Sequence, residues 1–210
     1  MAAEPISITI DDADVQAKLE LLRLNLSEEK FEKELKWIVD KTGRRVKPIL
    51  KVRVPEQYVA SAKWVNSDTK KRFLRSGANG VECVIPLKGK LGTIGGNSFP
   101  AYGGVWGWEA LKYKGKPYKI IAQIVKGKAS VLPKAMQNQG GFAPWINTSD
   151  KAKAKLHGVV FVRKSKEQTP IAPVKGLGIP EMPPNRSREQ VENDILEEMV
   201  RQVDYYLQRL

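Results

Sequence analysis

One cysteine and one histidine occur in 210 residues. With Cys83 alone there is no internal disulfide framework and no cysteine-based zinc site; with His157 alone there is no histidine set for zinc or iron. A Ser-His-Asp triad would have to use His157, and no Gly-x-Ser-x-Gly elbow is present. His157, at a strand start, reads as a surface or hydrogen-bonded residue, and Cys83 as a small buried hydrophobe. Acids are scarce in the middle: residues 41–180 hold six Asp or Glu against 27 Lys or Arg. Asp68, Glu82, Glu109 and Asp150 stand far apart and in no motif, so neither a two-carboxylate nor a two-metal site is indicated. The glycine-rich run 89–96 lacks Gly-x-x-x-x-Gly-Lys-Ser/Thr and reads as a loop, not a phosphate cradle. No apolar run approaches the ~20 residues of a membrane span. Met1–Pro5 has neither a basic region nor an apolar core, so no secretory leader is expected. These absences predict a non-enzyme with no catalytic residue, no metal, no cofactor and no membrane contact.

What the chain has is positive charge, +13 net, unevenly placed. Residues 1–40 carry five Lys or Arg against ten Asp or Glu, and residues 181–210 carry four against seven. A basic middle thus lies between two acidic ends, which points to a polyanion nearby or to acidic partner surfaces, other copies of the chain included. The plainer reading is a solvated lysine surface.

Periodicity gives the elements. Ile6, Ile8 and Ile10 alternate as a short strand, and Val15, Leu19 and Leu22 mark a helix over about 14–24, interrupted by Asn25. Ser27 is a good N-cap, with Glu28 and Glu29 in the first turn. Phe31, Leu35, Ile38, Thr42, Val46 and Ile49 then make an amphipathic helix of about six turns. Trp37 falls off that stripe and faces a second partner. Gly43 marks a bend or a close contact, and Pro48 kinks or ends the helix near Lys47. Lys51–Pro55 reads as helix end or strand. A second helix is expected from about Glu56, either broken near Asn66-Ser67-Asp68 or capped there by Ser67 or Asp68 and continued through Arg75, then a turn at 76–80 and a strand from Val81 to Leu87. Residues 103–113 and 118–125 are expected to form a hairpin. Trp106, Trp108, Tyr113 and Tyr118 interleave there with Lys112, Lys114, Lys116 and Lys119, as in a single-strand binder. Short strands follow at 142–146 and 157–163. The last helix carries Ser187 and Gln190 in a capping-box pattern, with Val191, Ile195, Met199, Val203, Tyr206 and Leu210 on one face.

The most informative stretch is Gly158 to Pro183. It begins as a strand (Val159, Val160, Phe161, Val162) and becomes basic at Arg163, Lys164 and Lys166. It continues as an apolar run, Ile171–Val174, that Pro170 and Pro173 confine to an edge or a turn. Gly176 and Gly178 are expected to allow a tight turn, and Pro180, Pro183 and Pro184 stiffen the approach to the last helix. This segment resembles the phage minor tail protein Z group of tail-completion and head–tail joining proteins. The resemblance lies in Phe161–Lys164 (F-V-R-K), Thr169–Val174 (T-P-I-A-P-V) and Gly176–Met182 (G-L-G-I-P-E-M), followed by a mixed-charge terminal helix. Weaker echoes lie at Ile85–Lys90 and Phe142–Ile146. The clear match covers about the last quarter of the chain.

The resemblance implies a structural virion protein, a tail-completion, tail-terminator or neck protein at the head-proximal end of a phage or phage-like tail tube. It would be assembled in the bacterial host cytoplasm as a homo-oligomeric ring of six copies. The tail tube protein and neighbouring neck or connector proteins would be its partners, with non-specific DNA contact in the lumen. The candidate interaction residues are Phe161, Arg163, Lys164, Ile179, Pro180, Met182, Glu197, Glu198 and Arg201. Acidic ends are expected to pair with the basic middle of a neighbour. The alternative is a basic nucleic-acid-binding module. The expected fold is α+β: a mostly antiparallel sheet of about five strands packed by a long N-terminal helix and a C-terminal helix. The expected segments are an arm (1–26), a core domain (27–175) and a hinge with the C-terminal helix (176–210).

Overall fold

The computed structural model describes residues 13–77, 80–95, 99, 101–102, 120–131, 145–147, 156–163 and 171–210. The expected Ile6–Ile10 strand, the first arm of the 103–125 hairpin and the interleaved aromatics and lysines at 106–119 lie outside them. The described chain falls into two compact units. One comprises residues up to Val54, Ala62–Gly89 and Ile179–Leu210; the other comprises Pro55–Ser61 and Lys90–Gly178. Both the N-terminal and the C-terminal helices belong to the first unit, and the chain passes from the second unit back to the first between Gly178 and Ile179.

In the first unit, α1 (Ala13–Asn25) buries Val15 and Leu22. In its last turn the Asn25 side-chain amide donates to the Leu21 carbonyl at 2.7 Å, a side-chain bond back to the residue four earlier. Helix α2 (Glu28–Gln57) is 30 residues long and begins where Ser27 predicts, with Phe31 N–H donating to the Ser27 carbonyl at 2.8 Å. It does not end at Pro48. An interior proline costs about 3 kcal/mol, but Leu50 and Val54 beyond it are 3% and 0% exposed. Each such burial contributes about 1.5–3 kcal/mol, enough to carry the helix past the proline. Residues 51–55 are accordingly helical.

The next helix is short, α3 (Ala62–Asp68), and does not continue to Arg75. Instead β1 (Phe73–Gly77) pairs antiparallel with β2 (Gly80–Val84), Leu74 opposite Cys83. Aromatic and branched residues on both arms of a tight turn favour the ladder over a weak helical pattern. The buried Asp68 closes the loop beyond: its carboxylate accepts from Gly89 N–H at 3.2 Å and its carbonyl from Lys88 N–H at 2.9 Å. The C-terminal helix, α4 (Arg188–Leu207), buries Val191, Ile195 and Val203. Ser187 precedes it but makes no side-chain cap; its hydroxyl is buried and donates to the Arg53 carbonyl at 3.3 Å. The expected capping box is therefore replaced by a tie to α2.

The second unit holds strands β3 (Leu91–Thr93), β4 (Ala101–Tyr102), β5 (Ile121–Val125), β6 (Lys128–Val131), β7 (Trp145–Ile146), β8 (Val160–Arg163), β9 (Ile171–Pro173) and β10 (Lys175–Gly178). Strand β10 pairs with β3, while β4-β5-β6 and β7-β8-β9 form three-stranded sheets, all antiparallel. The α+β class holds. Among the described residues the strands are spread over four small sheets, because glycines and prolines keep each strand short. In the expected hairpin the returning arm, β5, pairs on one side with β6 and on the other with β4. Pro173 sits on an edge strand, as its missing N–H requires. Backbone bonds knit Ile94, Val160 and Val174 at 2.8–2.9 Å around a core that includes Phe99, Ile120 and Ile94. Gly176 does not turn the chain. It lies in β10, where a Cβ would meet the Phe99 ring at 2.9 Å.

Candidate functional site

Helices α1, α2 and α4 enclose Leu22, Ile38 and Val203, flanked by Phe31, Trp37, Met199 and Tyr206. Trp37 meets α4, stacking on Tyr205 at 6.1 Å between centroids and meeting Tyr206 edge-on at 5.8 Å, while the Lys41 ammonium lies 5.1 Å over its ring. Burial, then the Glu34 carboxylate that accepts the Tyr206 hydroxyl, pushes the phenol up to about 12.

Ion pairs bind the same helices. Arg53 grips Asp194 through two bonds of 2.7 and 2.8 Å, the bidentate geometry that suits a guanidinium. Lys18 joins Asp204 at 2.9 Å and Asp14 at 3.1 Å, and these two carboxylates, Asp204 first, raise its pKa. Glu198 accepts from Arg201 at 2.8 Å and from Gln202 at 2.6 Å. On the far side of α2, Asp40 accepts from Arg44 at 2.7 Å and from Arg72 at 2.8 Å. Burial pushes the Asp40 carboxyl up, but the two arginines outweigh it and hold the group below its ordinary value.

Three clefts open on this unit. One, about 520 Å³, lies between α2 and α4 and is lined by Trp37, Lys41, Arg44, Arg45, Glu198, Arg201, Gln202 and Tyr205. A second, about 570 Å³, lies beside α1 and α4, with Asp14, Glu197 and Asp204 around Leu196, Val200 and Tyr205. It shares Arg201 and Tyr205 with the first. The third, about 340 Å³, is lined by Arg44, Lys47, Lys70, Lys71 and Arg72, with Gly43, Thr69 and Ile85 at its floor and rim; Arg44 belongs also to the first. The acidic-apolar cleft continues along α1, where Asp14, Ala17, Leu21 and Leu24 fall at spacings of three, four and three and are all exposed, Leu24 by 81%.

The nine sequence-selected residues do not form one surface. Phe161, Ile179 and Met182 are buried, so they are interior packing and not contact surface: apolar side chains beside prolines here plug the core. Pro180 is half-buried in a 3-10 turn, Ile179–Glu181. Arg163 ends β8 opposite Ile171, and Lys164 lies outside the described residues. Glu198 and Arg201 meet each other, and Glu198, 13% exposed, is occupied within the chain. Glu197 alone of the two glutamates faces outward. Within the chain, Asp194 pairs with Arg53 and Glu198 with Arg45 of the basic middle, while Asp204 pairs with Lys18 near the N-terminus. Sequence reasoning passed over the groove of Arg44, Lys47, Lys70, Lys71 and Arg72; the available signals were the Asp40–Arg44 spacing of four and the run Lys70-Lys71-Arg72.

Among the described residues no three His, Cys, Asp or Glu gather as a metal site, and no helix is long and apolar enough to cross a membrane. Cys83 lies against Gly43, and burial pushes its thiol pKa up, which works against nucleophilic chemistry. No protein-family model, curated protein or solved structure matches the chain.

Proposed function

We propose that this is a structural tail-completion protein of a phage or phage-like particle. It assembles as a ring at the head-proximal end of the tail tube, and its α1–α4 outer surface contacts the neighbouring subunit. The observation that carries the ring is the acidic-apolar cleft of Asp14, Leu196, Glu197, Val200 and Tyr205, continued by exposed Leu21 and Leu24. Large exposed apolar groups set among charges are costly in water and typical of a protein contact; Arg201 lines the cleft together with its acids. A ring requires a heterologous contact that closes, and this strip is taken as one half of it. The placement on a tail rests on the resemblance in residues 161–182. Those residues carry the chain through β8, β9 and β10 into buried Ile179 and Met182, which anchor the start of α4.

Native mass spectrometry of the purified protein tests the ring. A closed oligomer is expected, reduced to smaller species by Leu21→Asp/Leu24→Asp, whose side chains are exposed and contribute little to the fold of one chain. A monomer at every concentration, or an oligomer indifferent to this pair, would overturn the assignment of the surface.

A further inference from the structure

We infer that the groove between α2 and the segment before β1, built from Arg44, Lys47, Lys70, Lys71 and Arg72, binds the phosphodiester backbone of nucleic acid without reading its bases. Five basic side chains line one concavity of about 340 Å³. The carboxylate engaged with them, Asp40, is divided between Arg44 and Arg72. Lys47, Lys70 and Lys71 have no acidic partner among the described residues, and Lys70 and Lys71 are exposed. Lys18, Arg45, Arg53, Arg188 and Arg201 of the same unit each have a carboxylate within 4 Å, whereas these three lysines share one wall. Like charges gathered in a concave wall, with their counter-ions left to solvent, concentrate positive potential and favour a polyanion.

Two observations select nucleic acid over an acidic surface on a second copy. The acidic cleft beside α4 is already neutralised at Asp14 and Asp204 by Lys18. It offers Glu197 alone to the groove's lysines. The groove also shares Arg44 with the α2–α4 cleft, where Lys41, Arg45 and Arg201 are three cations against the one carboxylate of Glu198. A polymer that releases a counter-ion at each phosphate gains from such cations in a way that one carboxylate cannot. Base reading is disfavoured because Phe73, next to Arg72, already carries the Arg75 guanidinium 5.1 Å over its ring, and Trp37 of the adjoining cleft is engaged by Tyr205, Tyr206 and Lys41.

The test measures fluorescence anisotropy of a labelled 20-base-pair duplex, and of a single strand of equal length, with the full chain over a salt series. Two unrelated duplex sequences should bind alike, with affinity falling steeply as salt rises. Lys70→Ala/Lys71→Ala should weaken binding of all sequences alike and reduce the salt slope by about two, roughly one per lost phosphate contact. Lys30→Ala/Lys33→Ala, at exposed lysines near the start of α2, should leave it unchanged. In the unmodified protein, bound duplex should protect Lys70 and Lys71 from acylation, a readout that does not depend on a variant folding. The inference is overturned by no binding at low salt, by equal losses in both double variants, or by acylation unaffected by DNA. Polyglutamate of equal charge competing as well as DNA would also overturn it, since the groove would then be a site for acidic protein. The ring is read separately by mass, so loss of either result leaves the other standing.

Discussion

Gly43 lies in the middle of α2 with the Cys83 side chain where its own Cβ would be. Alanine there would gain about 1 kcal/mol of helix propensity, but the methyl group would collide with Cys83. We expect Gly43→Ala to lower the unfolding free energy by about 1–3 kcal/mol, as overpacking does. Cys83→Ala should recover part of the loss, and a urea double-mutant cycle should show coupling above about 0.5 kcal/mol; strict additivity would mean that the two residues do not touch. At Tyr206 the protonated phenol is favoured in the folded state by burial and by Glu34. Its contribution is therefore complete below pH 10 and is lost as pH rises towards about 12. Stability should fall across that window more in the wild type than in Tyr206→Phe, as urea midpoints between pH 9 and 12 would show. The sequence marked Gly43 as a bend or a close contact, and the contact proved to be the reason. It could not reveal the Tyr206–Glu34 bond, because pairing across 172 positions has no local signature.

Local pattern served the helices better than the strands. The start of α2 follows from Ser27, the acidic first turn and the 3.6-residue stripe. The run through Pro48 was not legible, since it depends on what Leu50 and Val54 bury against. Residues 73–77 chose a ladder over a helix because the partner strand lies just beyond the turn. At α4 the capping-box pattern misled: Ser187 gives its hydroxyl to Arg53, so the helix is held by tertiary contacts, among them the Arg53–Asp194 pair and the buried Ile179 and Met182. Met182→Ala should then cost about 2–5 kcal/mol by leaving a cavity, measured by urea denaturation. Ser187→Ala should cost less, about 1 kcal/mol, since it removes one long hydrogen bond. The reverse order would mean that α4 is held chiefly at its cap.

At the scale of the molecule, the division of charge was visible in composition, but its use was not. At the C-terminal end Asp194, Asp204 and Glu198 turn to Arg53, Lys18 and Arg201, while Glu197 is exposed on α4 and the Lys70–Lys71 groove gathers cations with no acidic partner among the described residues. Charge reversal at Glu198 would therefore injure the fold, whereas Glu197→Lys probes the outer surface. It should weaken self-association at low salt by several-fold while leaving the thermal midpoint of the isolated chain within about 2 °C, a surface-scale effect. The central claim, a tail-end assembly protein, is tested most directly by where the protein resides. Leu210 is exposed, so a C-terminal tag is displayed. With tail particles purified from producing cells and the tag labelled for electron microscopy, the account predicts signal at one end of the tube, the end nearest the head. Particles without label, with the tagged protein recovered elsewhere in the cell, would contradict it.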